Sequence, residues 1–259
     1  MQIAHIRHKF NLHWHKIVFV LALLLSVGFD GAAQNTKRIN LPIYDDNKIH
    51  YGFLIGGHSS RYRIEYSDAF ATQQFDSLHS IVPGNLGGFK LGFVINFLLY
   101  QYLDFRILPT VAFYQNDLTY RFTDGTSIRE LRDPTFVEVP LLFKYKSVRR
   151  GNTRMYLLGG ITPSIRAAGA GEADELKLLI KNTNLSLDIG VGFDLYQELF
   201  KFSPELRYSY GLVNVLQDEK NIFSEGLRRI TTHNITFYIT FEGGPTELKN
   251  LRRKNRITK

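Results

Sequence analysis

Residues 184–213 constrain the fold of this chain most, because two alternating segments and a tight turn follow one another there. From Asn184 to Leu195 every odd position is apolar, whereas the even positions carry polar residues or glycine. After a short turn at 196–199, residues 200–210 alternate in the same way. A period of two indicates β-strands. An apolar face opposite a charged one is typical of a transmembrane barrel strand, although a strand of a soluble sandwich also alternates.

The same alternation along the chain predicts eight strands. They cover residues 49–59, 87–99, 104–120, 135–147, 153–165, 184–195, 200–210 and 231–242. Pro109 interrupts the third strand and predicts a local bulge, since proline donates no ladder hydrogen bond. In the fifth strand apolar residues occupy both parities, so the pattern does not assign its faces.

The connections between these strands favour a membrane barrel over a soluble one. Long segments follow the first, third, fifth and seventh strands, and short turns follow the second, fourth and sixth. Bacterial outer-membrane barrels have an even number of strands, short periplasmic turns and long outer loops. A lipocalin-like barrel would instead need an apolar interior for its ligand. We therefore predict an all-β, eight-stranded antiparallel transmembrane β-barrel of the outer-membrane type, with both termini in the periplasm.

The start of the chain is typical of a secretory signal peptide. A basic segment leads into an apolar run at 17–29, followed by the small residues 31–33. The run is short for a spanning helix, so we predict cleavage near Ala33 or Gln34, with an uncleaved anchor as the alternative. We then expect a periplasmic lead-in at 34–48, the barrel at 49–242 and a basic periplasmic tail at 243–259. The predicted location is the outer membrane.

The formal charge of +8 does not indicate a nucleic-acid groove. Residues 1–33 carry a net +2 and residues 243–259 a net +5, which leaves about +1 for the body of the chain. A nearly neutral body argues against binding to nucleic acid. The absence of cysteine excludes disulfides, thiolate metal sites and a cysteine nucleophile.

Charged residues on the predicted inner face are the most informative set. Eight strands leave an interior that side chains just fill, and charges in so narrow a space are costly unless they are paired. We therefore expect Arg106, Lys144 and Arg207 to pair with the inner carboxylates as a rigid structural network that closes the barrel. An ion or proton path is the functional alternative. The predicted network consists of Arg106, Glu138, Lys144, Asp188, Asp194, Glu205 and Arg207.

The basic tail is either a solvated end of the chain or a periplasmic binding site for an acidic protein partner. Its partner-binding candidates are Lys249, Arg252, Arg253, Lys254 and Arg256.

Enzymatic motifs are absent or weak in this sequence. It contains no G-x-S-x-G, H-E-x-x-H or P-loop pattern. His58, His79 and His233 lie near hydroxyl residues, but no spacing distinguishes them as a catalytic base. We therefore expect a non-enzymatic protein with no catalytic or metal residues, no cofactor and no small-molecule substrate.

Six segments, which include loop and turn residues, resemble the PorT (SprT) outer-membrane barrels of Bacteroidetes. They are LPIYDDNKIHYGF (41–53), YLDFRILPT (102–110), EVPLLFKYK (138–146), RMYLLGG (154–160), FKFSPELRY (200–208) and LRRITTH (227–233). The resemblance extends in the same order over essentially the whole predicted mature chain. It implies a role in the type IX secretion system, which exports proteins with a C-terminal signal, and in gliding motility where the species glides. Other components of that system are then the expected protein partners. An autonomous structural or adhesive barrel is the alternative function.

Overall fold

The computed structural model describes residues 39–71, 78–168, 180–217, 224 and 226–243. The described residues form thirteen strands and two 3-10 turns, Tyr44–Asp46 and Asp68–Ala71. The strands are β1 (Ile49–Tyr66), β2 (Leu78–Pro83), β3 (Asn85–Tyr100), β4 (Leu103–Ile107), β5 (Thr110–Phe113), β6 (Asn116–Phe122), β7 (Ser127–Arg132), β8 (Thr135–Glu138), β9 (Leu141–Lys146), β10 (Thr153–Ala168), β11 (Thr183–Tyr196), β12 (Lys201–Gly211) and β13 (Leu227–Gly243). No helix in this described part of the chain is long and apolar enough to cross a membrane.

Ten of the strands close into one antiparallel ring. Strand β1 pairs with both β3 and β13, and β10 pairs with both β8 and β9. Strands β4 and β5 are two halves of one wall position, as are β8 and β9, so the ring has eight positions. The predicted eight-stranded antiparallel barrel is confirmed.

A proline splits each of these two wall positions into two shorter strands. Pro109 separates β4 from β5, as its sequence position predicts, and Pro140 separates β8 from β9. Since proline has no N–H to donate, the ladder is interrupted on that residue. The carbonyls of both prolines still accept hydrogen bonds, from Phe93 N–H and Leu108 N–H respectively, each at 3.0 Å.

The alternation of side chains separates a lipid face from a lumen. On the outside, Phe93 is 68% exposed and Phe237 is 50% exposed. The structure also assigns the faces of the fifth wall position, β10. Tyr156 and Leu158 are buried in the lumen, whereas Leu157 is exposed on the outer surface.

The long connections are more ordered than the sequence predicts. Strands β2, β6 and β7 form a separate three-stranded sheet, although 60–85 and 121–133 are predicted as loops. The predicted third strand, 104–120, leaves the barrel after Phe113 and continues in this sheet as β6. Strand β1 extends to Tyr66, and β13 begins at Leu227 instead of 231. Their packing supplies the reason, because apolar residues from these segments bury one another.

These apolar residues form a hydrophobic cluster at the extracellular end of the barrel. We call this cluster the outer cap. Its buried members come from barrel strands, from the small sheet and from two further connections. They are Tyr62, Leu78, Ile81, Leu118, Tyr120, Ile180, Val215, Leu216, Leu227 and Ile230.

Candidate functional site

The lumen of the barrel holds a balanced set of buried charges, which we call the lumen network. Among the described residues it contains six cations and six carboxylates, all of them less than 9% exposed. The cations are Lys90, Arg106, Lys144, Lys146, Lys201 and Arg207; the carboxylates are Asp104, Glu138, Asp188, Asp194, Glu205 and Glu242. Opposite charges at close distance compensate for the lost hydration, which would otherwise exclude ions from so narrow a space.

Arg106 connects strands on opposite sides of the ring. Its Nη1 donates to Glu205 Oε2 and its Nη2 to Glu242 Oε1, both at 3.0 Å. All three side chains are fully buried. The two terminal nitrogens of the guanidinium thus bind two carboxylates at once, each through its own arm of the planar fork.

Lysines complete the periplasmic half of the network. Lys144 Nζ lies 2.8 and 2.9 Å from the two carboxylate oxygens of Asp194 and 3.8 Å above the ring of Tyr156. Lys201 Nζ lies 3.0 Å from Glu242 Oε2. Each ammonium therefore has an anionic partner, and the aromatic ring adds a cation–π contact.

Arg207 extends the network towards the extracellular end. It donates to Glu205, lies 3.7 Å from Asp188 Oδ2, and stands 4.4 Å from the centre of the Tyr238 ring. Glu205 thereby binds guanidinium groups from both Arg106 and Arg207.

A smaller group lies nearer the outer cap. Lys90 Nζ donates to Glu138 Oε2 at 2.7 Å and to Tyr114 Oη at 2.8 Å, and Tyr114 donates to Glu138. Asn234 and the ring of His58 also contact Tyr114. A neighbouring cavity of about 20 Å³ beside Tyr114 and Glu138 has room for roughly one water molecule.

All seven lumen residues named from the sequence lie in the lumen, but several of their partners were missed. Glu138 pairs with Lys90 instead of a predicted cation, and Arg106 also binds Glu242. Lys146 binds Asp104 at 2.6 Å. The signal for Lys90 was its inward parity in β3. Lys146 and Lys201 likewise have the inward parity of their strands, and Glu242 lies near the end of β13. The alternation thus places several of these residues inside, but the network predicted from the sequence does not include five of its members: Lys90, Asp104, Lys146, Lys201 and Glu242.

Glycines make room for the large lumen rings. A Cβ atom on Gly192 would lie 2.4 Å from the hydroxyl oxygen of Tyr156, and one on Gly56 would lie 2.6 Å from the Tyr238 ring. Both rings are almost completely buried. These inward-facing glycines therefore leave room that the aromatic rings fill, and they do not line an open channel.

Residues 39–48, the described part of the predicted lead-in, pack against the periplasmic end of the barrel. This segment forms the 3-10 turn Tyr44–Asp46, which buries Tyr44, and the Tyr44 ring stacks on His50 with 4.0 Å between ring centroids. Asp45 accepts two hydrogen bonds of 3.0 Å from Arg154 and one of 3.0 Å from Tyr196. The guanidinium of Arg149 lies 3.6 Å over the Tyr196 ring. These contacts explain why the segment turns, because an aromatic anchor and a charged pair attach it to the barrel end.

The partner-binding candidates of the basic tail, Lys249, Arg252, Arg253, Lys254 and Arg256, lie outside the described residues, as does the predicted signal peptide at 1–33. No group of three or more His, Asp or Glu side chains suited to a metal ion occurs among the residues that the structure describes.

A closed antiparallel ring with an apolar outer surface and a charged, filled lumen defines an outer-membrane β-barrel embedded in lipid. The chain belongs to the outer membrane protein beta-barrel domain family, whose model matches residues 32–217. The protein is thus located in the outer membrane. No curated protein matches the sequence.

Solved structures similar to this chain are outer-membrane proteins at low identity. OprG of Pseudomonas aeruginosa is 12% identical, with a TM-score of 0.48, over 76% of this chain and 96% of OprG. The N-terminal β-barrel domain of OprF from the same species is 13% identical, with a TM-score of 0.34, over 73% of this chain and 96% of that chain. The outer membrane protease OmpT of Escherichia coli is 11% identical, with a TM-score of 0.39, over 76% of this chain and 95% of OmpT.

Proposed function

We propose that this protein is a non-enzymatic outer-membrane component or accessory of the type IX secretion system. In this proposal it acts as a closed scaffold for other components, and exported proteins do not pass through its lumen. The observation that carries the closed scaffold is the lumen network, whose paired charges and aromatic rings occupy the space that a conducting barrel leaves for water.

The secretion assignment rests on the resemblance to PorT barrels. The six resembling segments contain most of the residues that fill this barrel. Segment 102–110 contains Arg106, segment 138–146 contains Glu138 and Lys144, and segment 200–208 contains Glu205 and Arg207. Segment 41–53 contains Tyr44 and Asp45 of the lead-in. The resemblance therefore coincides with the internal structure of the barrel and with its closed periplasmic mouth.

We assign the protein contacts to the periplasmic side and to the extracellular connections. The basic tail carries a net +5 over 243–259, which suits an acidic surface on a periplasmic partner. Residues of the lumen network are structural in this proposal.

Deletion of the gene tests the function. Export of proteins with the C-terminal signal should stop and should return when the full chain is supplied. A second strain, which produces a chain that ends at Gly243, tests the tail separately from the barrel. This chain should reach the outer membrane in normal amount, but export should fall if the tail binds a component of the system. Unchanged export in the deletion strain would contradict the secretion assignment.

The second candidate is an autonomous structural or adhesive barrel, which is consistent with membership of a general outer-membrane barrel family. Affinity purification of the tagged full chain distinguishes the two. Co-purification of other secretion components supports the first candidate. Recovery of the barrel alone, with unchanged export on deletion, supports the second.

A further inference from the structure

A groove of about 470 Å³ lies on the outside of the barrel at its extracellular end. Residues of β1, β12 and β13 form its wall, and β2 overhangs it through Ile81 and Pro83. The wall contributes Arg61, Arg63, Tyr208 and His233.

Strand geometry places the two arginines at the level of lipid headgroups. Arg61 follows Tyr51 by ten residues on the same outward face of β1. A strand that rises about 3.4 Å per residue and is tilted by about 40° climbs roughly 25 Å over that distance, which is the height of the apolar band of a barrel. Arg61 therefore lies at the upper edge of the lipid-facing band, and Arg63 lies one step beyond it.

An aromatic rim marks the same level on the neighbouring strands. Arg61 pairs in register with His233 of β13, which pairs with Tyr210 of β12. The imidazole is held in place, because Nδ1 lies 2.9 Å from the Tyr208 hydroxyl and Nε2 lies 3.2 Å from the Thr231 hydroxyl. Aromatic side chains of this kind form girdles at the membrane interface.

Arg61 and Arg63 are exposed, and in the described part of the chain neither has a carboxylate within ion-pair distance. The acid on the same face of β1, Glu65, is bound by Arg228 at 3.2 Å. Two guanidinium groups thus line one groove with their positive charge uncompensated by the described residues.

We propose that this groove binds the phosphate of a phosphorylated lipid headgroup in the outer leaflet. Guanidinium groups bind phosphate oxygens through paired, charge-assisted hydrogen bonds. The groove lies directly above the lipid-facing surface, so an acyl chain can run down the outer wall while its headgroup phosphate meets Arg61 and Arg63. This site does not depend on the proposed role in secretion.

The test measures lipid binding by the folded full-length mature protein in zwitterionic detergent micelles, using native mass spectrometry. The probes are lipid A, which carries two phosphates, the same lipid after removal of both phosphates, and inorganic phosphate as a competitor. We expect lipid A to bind saturably and at least about tenfold more tightly than the dephosphorylated lipid. Millimolar inorganic phosphate should not displace it.

The variant R61Q/R63Q should bind lipid A at least about tenfold more weakly. Its control is R121Q/R150Q, which removes the same charge from exposed positions elsewhere and should bind like the wild type. Heat-modifiable migration on a gel verifies that each variant is folded, and the single variant R63Q supplies an intermediate affinity. Equal affinity of R61Q/R63Q and wild type would overturn the proposal, as would equal binding of the two lipids. Displacement by inorganic phosphate would reassign the groove to free anions and likewise overturn the lipid site.

Discussion

At the scale of single residues, Arg106 shows that the lumen charges are interdependent. It is fully buried between Glu205 and Glu242, which themselves belong to β12 and β13. A buried pair contributes little net stability compared with an apolar substitute of the same shape, yet removing one partner leaves the other charge without compensation.

We therefore expect Arg106→Met to destabilise the barrel by about 3–5 kcal/mol, because it leaves two carboxylates buried with fewer partners. Urea unfolding in detergent micelles or lipid vesicles measures the change. The matched control is Arg228→Met, whose ion pair with Glu65 is exposed and should contribute about 0–1 kcal/mol. Similar effects of the two substitutions would contradict the network.

Also at the scale of single residues, the buried Tyr156 ring depends on the space that Gly192 leaves in the lumen. Gly192→Ala places a methyl group against the buried ring of Tyr156, and overpacking of this kind costs about 1–3 kcal/mol. Gly159→Ala on the adjacent strand is the control, since a Cβ atom there meets nothing within 4 Å. We expect unfolding experiments to show a loss for the first variant and no loss for the second. A neutral Gly192→Ala would show that the ring has room to move.

At the scale of elements, each barrel strand separates two environments one residue apart. In β13, Phe237 is half exposed on the outer face, whereas Thr236 is completely buried in the lumen. The side-chain hydroxyl of Thr236 has no hydrogen-bond partner among the described atoms. Neighbouring substitutions in one strand should therefore have unrelated effects.

Phe237→Lys should destabilise insertion by about 2–4 kcal/mol, because a cation then faces the apolar interior of the bilayer. Val191→Lys on β11 should act in the same direction, since Val191 also faces outward. Thr236→Val is the control and should stay within about 1 kcal/mol of the wild type, because it breaks no hydrogen bond. Folding titrations into lipid vesicles provide the measurement, and a harmless Phe237→Lys would show that this face does not contact lipid.

At the scale of the whole molecule, three layers close the barrel along its axis. The lead-in covers the periplasmic mouth, the lumen network and its aromatic rings fill the middle, and the outer cap covers the extracellular end. Charged and aromatic contacts hold the lead-in and the lumen network, whereas apolar packing holds the outer cap.

Purified protein in planar bilayers should accordingly show no large, steady single-channel conductance. An open porin reconstituted in the same way verifies the assay. Repeated conductance steps of constant size from this protein would contradict the closed lumen and favour an ion path.

The mature chain should fold only in the presence of detergent or lipid, because its outer surface exposes large apolar residues all around the ring. Heat-modifiable migration and circular dichroism after dilution from urea measure folding. A folded, soluble species without amphiphile would overturn the assignment to the membrane.

The amino-acid sequence by itself determined the class of fold and, in every predicted strand except the fifth, the side that meets lipid. Strict alternation, as in residues 184–195, leaves little freedom in the register of a strand. A shift of one residue would turn Asp188 and Asp194 into the bilayer. For the same reason the alternation alone predicts that Arg106, Lys144 and Arg207 face the lumen.

Only the tertiary structure decided which charges meet and how the ends of the barrel are closed. The pairing of Arg106 with Glu242, 136 positions away, depends on ring closure and strand register, which parity does not contain. The outer sheet of β2, β6 and β7 likewise forms because segments distant in sequence bury Leu118, Tyr120 and Ile81 together. The stabilisation comes from packing between segments, so the pattern within any one segment does not predict it. Local pattern selects a face for each side chain, whereas non-local packing selects its partner.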